Sequence, residues 1–143
     1  MEAYAYGAHG RLAFNEGTEE SVRRAVTHFE DQLEVFEAIG VDDGIATAKS
    51  NIAFAKSMYE GVNHEEMLKA SRELYELRIA EFGDDDGDTI DAGKSYAVDL
   101  HNANRGVEAR ELLTELLATS KKVLGPHHNT TKGVAAQLER TNF

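Results

Sequence analysis

Sliding the 143-residue sequence along itself by 42 positions brings like residues into register, and this internal period limits the fold more than any other feature of the chain. Thr47, Thr89 and Thr131 coincide, as do Leu12, Phe54, Tyr96 and Leu138. The last four are followed by Ala13, Ala55, Ala97 and, in the final copy, Glu139. Later in the period Ala25, Met67 and Ala109 align, then Phe29, Ser71 and Leu113, then Leu33, Tyr75 and Leu117. A unit this short cannot bury its own apolar face, so the period implies units that stack on one another.

Within a copy the apolar spacing is helical. In the third, Ile90, Gly93, Tyr96, Ala97 and Leu100 form one stripe. After Asn104-Arg105-Gly106 a second runs through Ala109, Leu112, Leu113, Leu116, Leu117 and Val123. The chain has one proline, few β-branched clusters and abundant Ala, Leu, Glu and Lys, so an all-α fold is expected. The pattern predicts seven helices, over 2–16, 18–39, 43–60, 64–82, 88–103, 107–124 and 130–141. They form one repeat domain with repeats near 2–40, 43–82 and 88–124, and the final helix covers the apolar edge of the third pair. Ala97 with Ala109, and Ala13 with Ala25, are small enough to let two helix backbones cross closely.

The third copy, Tyr96-Ala97, Leu100, Gly106, Ala109, Leu113 and Leu116-Leu117, resembles the tetratricopeptide repeat. Its 42-residue period, with Leu124-Gly125-Pro126-His127-His128-Asn129-Thr130-Thr131 between repeats, is similar to that of kinesin light chains. The resemblance covers nearly the whole chain and implies a right-handed α-solenoid that binds protein or peptide on its concave wall. The second copy departs from the pattern at Met67 and Ser71, and Gly40 lies one residue out of register. Kinesin-light-chain repeats often carry paired asparagines that grip a peptide backbone, but here Ile52-Ala53 and Lys94-Ser95 stand in those places. The lysine and asparagine sets of the chaperone-binding clamp are not matched either. Neither cargo nor chaperone binding carries over.

Residues 82–91, FGDDDGDTID, raise the question of a calcium loop. With Gly87 as the sixth residue of such a loop, its first would be Phe82 and its twelfth Gly93, so both the opening and the closing ligand are missing. The stretch instead fits a connection between helix pairs: Gly83 ends one helix, and Asp88 or Thr89 caps the next. His127-His128 falls in the corresponding turn, and adjacent side chains seldom converge on a metal, so no metal site is expected. The sequon-like Asn129-Thr130-Thr131 is likewise read as a capping turn.

Fifteen basic against 26 acidic residues give a net charge of -11, which opposes binding to nucleic acid. There are no cysteines, and the opening MEAYAYGAHG lacks the basic and apolar regions of a signal peptide. No apolar run reaches the roughly 20 residues of a membrane helix. A soluble cytoplasmic protein is expected. No phosphate loop, nucleophile elbow or HExxH is present, and His64-Glu65-Glu66 reads as an acidic helix start, so neither catalysis nor a cofactor is expected.

The stripe offset from the buried one on the first helix of each pair marks the expected groove. It comprises Phe14, Lys49, Ile52, Lys56, Tyr59, Lys94, Val98, His101 and Arg140, with Asn102 at its margin. Asp91 also lies on it and Glu60 at its margin, so four cations face two acids, a local balance of +2 in a chain of -11. Such a strip suits an acidic peptide or protein segment, with Phe14, Ile52, Tyr59 and Val98 as apolar contacts. Against this stands the ordinary tendency of lysine to populate any solvated helix face. A self-associating scaffold, two copies joined through the final helix at Leu138, is the alternative.

Overall fold

The structure, a computed structural model, describes residues 19–58, 60, 61 and 63–141. These form six helices: α1 (Glu19–Ile39), α2 (Asp42–Ser57), α3 (His64–Phe82), α4 (Gly87–Asn102), α5 (Gly106–Val123) and α6 (Asn129–Arg140). No strand occurs among the described residues, and the fold is all-α. Helix boundaries agree with the apolar periodicity to within about a residue, apart from α2, which ends at Ser57 rather than near residue 60. The expected helix over 2–16 lies outside the described residues.

The residues divide into two compact units, with the boundary after Ala70 inside α3. In the first unit α1 and α2 pack as an antiparallel pair across the short turn Gly40-Val41. Gly40 makes that turn possible, because its φ of 71° is a backbone conformation that side-chain-bearing residues seldom adopt. The core of the pair is Val22, Ala25, Val26, Phe29, Ile52 and Ala55, with Leu33 at its edge. Ala25 and Ala55 are both fully buried, which is how two backbones pack this closely. Nearer the turn Phe36 lies over Gly44, where a Cβ would come within 2.5 Å of its ring.

In the second unit α5 packs against both α4 and α6, and α6 also touches α4. The last helix therefore packs on both helices of the preceding pair. Ala97 and Ala109 are fully buried on α4 and α5, alongside Ile90, Leu100, Leu113 and Val134. The later part of α3 joins through Tyr75, whose ring centroid lies 6.2 Å from that of Tyr96. Gly93 leaves room for this contact, since a Cβ there would stand 2.9 Å from Tyr75 Cε1 and 3.0 Å from Leu116. Burial, and then the charges of Asp84 and Glu115, raise the pKa of the Tyr75 hydroxyl above that of an ordinary tyrosine.

The 42-residue period reappears as repeated bonds. Thr89, the third residue of α4, donates its hydroxyl to the Arg78 carbonyl at 3.2 Å. Thr131, the third residue of α6, meets the Ser120 hydroxyl at 2.5 Å, and Ser120 stands 42 residues after Arg78. Asp86 Oδ1 accepts from the Asp88 amide at 2.9 Å, and 42 residues on His128 Nδ1 accepts from the Thr130 amide at 3.1 Å. The cap of α4 is thus Asp86, not Asp88 or Thr89 as the sequence suggested. A capping side chain bonds to the amides beyond its own residue, so it must stand just outside the first turn. Asn63 caps α3 in the same manner, accepting from the Glu66 amide at 3.1 Å. At the start of α5 Arg105 cannot accept, and its guanidinium instead grips Glu108 at 2.8 and 2.6 Å. That hydrogen bond lowers the Glu108 pKa below the usual carboxylate value.

Candidate functional face

The residues expected to line a groove belong to different units and are described unit by unit. In the second, Asp91, Lys94, Val98 and His101 follow one another along α4 at intervals of three and four residues. That spacing places them on a single stripe. All four are half-buried, and Asn102 beside them is exposed. The stripe borders α6: a Cβ on Gly133 would stand 3.0 Å from Lys94 Nζ and 3.8 Å from its Cδ. The lysine stem therefore lies across bare helix backbone, with its ammonium at the border of the two helices.

Arg140 is seven residues beyond Gly133, two turns along α6 on the same side and about 10 Å away. It is exposed, and its guanidinium makes only a long 3.4 Å contact with Gln137 Oε1. Among the described residues neither Lys94 nor Arg140 has a carboxylate partner, in contrast to the pairs Arg23–Glu19, Arg24–Glu20 and Arg105–Glu108 elsewhere. A cation without a partner can donate to an incoming anion without first breaking a bond. His101 completes the row. Its Nδ1 is buried, has no hydrogen-bond partner, and points toward Gly106, where a Cβ would be 3.8 Å away.

In the first unit Lys49 is exposed and Lys56 half-buried, seven residues apart on one side of α2. Ile52, expected as an apolar contact of the groove, belongs instead to the α1–α2 core and is 8% exposed. Its place midway between Ala48 and Ala55 puts it on the buried side of the helix. Phe54, expected to fill a packing position like Tyr96, is 52% exposed. Phe14 and Tyr59 lie outside the described residues.

Among the described residues no three His, Asp or Glu side chains are grouped so as to hold a metal ion. None of their helices is long and apolar enough to cross a membrane. A shallow hollow lined by Val107, Arg110, Glu111, Thr114 and Glu115 lies on α5, the second helix of its pair, rather than on the predicted stripe. Sequence reasoning missed the contact between Lys94 and Gly133, although the 42-residue alignment places Gly133 opposite Asp91, three residues before that lysine. No protein-family model matches the chain, and no curated protein matches its sequence.

Proposed function

We propose that the chain is a tetratricopeptide-like module, of the kinesin-light-chain type, that binds an acidic peptide or protein segment in the cytoplasm and performs no catalysis. The observation that carries this reading is that Lys94, lying across the bare backbone at Gly133, and Arg140, two turns further along α6, both lack a carboxylate partner. Lys94 lies against Gly133 and Arg140 stands two turns further along α6, so an extended acidic peptide running along that helix meets both cations. Val98, half-buried one turn beyond Lys94 on α4, supplies apolar contact area. Free lysine and arginine heads in an otherwise acidic chain favour such a partner and disfavour acidic surfaces in general, because the surrounding field repels anything that does not reach them.

Fluorescence anisotropy with an acidic probe peptide, Glu and Asp interspersed with Leu, tests the proposal. Binding should weaken about tenfold or more in Lys94→Glu/Arg140→Glu and fade as salt rises, with circular dichroism unchanged. Equal binding by the double variant and the parent would overturn it.

A further inference from the structure

The four-residue turn before α4 and the five-residue turn before α6 occupy the same place in the repeat, yet their caps differ in one chemical respect. Asp86 caps α4 with a carboxylate, while His128 caps α6 with an imidazole nitrogen. The partner of His128 Nδ1 is a backbone N–H, which can only donate, so the bond exists only while that nitrogen carries no proton. Protonation turns the acceptor into a donor, leaves the Thr130 amide without its partner, and sets a positive charge at the positive end of the helix dipole. A carboxyl cap keeps an acceptor oxygen in either protonation state.

The helix involved is the most dependent on its cap. At 12 residues α6 is too short to persist without help. No acid occupies its first turn, whereas α4 has Asp88 there and α3 has Glu65 and Glu66. It holds Val134 and Thr131 in the core and provides the backbone on which Lys94 rests.

We propose that His128 is a pH-sensitive latch: its protonation loosens α6 from the α4–α5 pair, while the equivalent cap at Asp86 stays closed. The bond needs an unprotonated Nδ1, so it is present while the imidazole is neutral and is lost once the ring takes up a second proton. Other charges surround this end of the fold: His127 in the turn, Lys132 on α6, Lys121 and Lys122 at the end of α5, and Asp86, Asp88 and Asp91 at the start of α4. His127 and Asp86 are each replaced in one comparison below, and the others are the same in all of them.

Amide hydrogen exchange at pH 7.5 and 5.5, divided by the intrinsic rate at each pH, reads the latch directly. In the parent chain α6 should open about fivefold more often at pH 5.5, with α4 unchanged. His128→Asp should remove the difference, His127→Gln should keep it, and Asp86→His should transfer it to α4. Parent protection of α6 that is equal at both pH values would overturn the latch, and so would a pH dependence that survives His128→Asp.

Discussion

Ser120 and Thr131 meet hydroxyl to hydroxyl, both buried, where α5 and α6 converge, and in the preceding repeat Arg78 and Thr89 are joined at the same two positions. The repeat is therefore conserved within the chain as a bonding position even where the residues differ. Serine offers a side-chain hydroxyl in one copy, and arginine offers its carbonyl in the other.

Removing one member of the hydroxyl pair should cost more than removing both. Thr131→Val leaves the Ser120 hydroxyl buried without a partner, at a cost of about 1–3 kcal/mol, while Thr131→Val with Ser120→Ala leaves nothing unsatisfied. Urea denaturation of the two single variants and the double should give a double-variant loss smaller than the sum of the singles.

The two glycines of α4 should respond oppositely to alanine. At Gly93 a new methyl group meets Tyr75 and Leu116 at 2.9–3.0 Å, and overpacking should cost about 1–3 kcal/mol. At Gly87 the nearest atom is Leu124 Cδ1 at 4.0 Å, so alanine should be neutral or stabilise by up to about 1 kcal/mol through reduced backbone entropy. Thermal melts of the two variants check the contrast.

Arginine at either crossing alanine should be poorly tolerated. Ala97→Arg or Ala109→Arg forces a long charged side chain between α4 and α5, where both native residues are fully buried. A loss of roughly 2 kcal/mol or more is expected. An unchanged melting temperature would show that the helices do not cross there.

Tyr75 should make the second unit sensitive to alkali. Its folded pKa is raised, first by burial and then by Asp84 and Glu115, so the native state favours the neutral phenol. The associated stability is complete below the ordinary tyrosine value of about 10 and is lost as the pH rises beyond it. Tyr75→Phe should flatten the stability profile above pH 10 in chemical denaturation, and a parallel fall in parent and variant would contradict this.

The helices were legible because their apolar stripes and small residues recur in register, and small residues at helix crossings bury without ambiguity. Ala25, Ala55, Ala97 and Ala109 are all fully buried. The caps were less legible, because several neighbouring residues in DDDGD could each accept a hydrogen bond and only backbone geometry selects Asp86. On α4 the residues expected to line a groove form a row of half-buried positions, but Ile52 went to the core of the first pair.

Thr47 shows why the second copy is hardest to read. It aligns with Thr89 and Thr131, yet its hydroxyl is buried without a hydrogen-bond partner. Only Gly40 and Val41 separate α1 from α2, so α2 begins at Asp42 and Thr47 is its sixth residue, not its third. The threonine is carried past the helix start, and the residue 11 positions before it is Phe36, whose ring is pressed onto Gly44.

Both ends of α6 are tied to the pair beneath it. Near the start Thr131 bonds to Ser120, and at the far end Arg110 donates to the Thr141 carbonyl at 2.7 Å, 31 residues away in sequence. A segment of 12 residues gains its order from such a template rather than from its own helical propensity. During refolding it should assemble only after α4 and α5 have come together, and on heating it should be the first helix of that unit to melt.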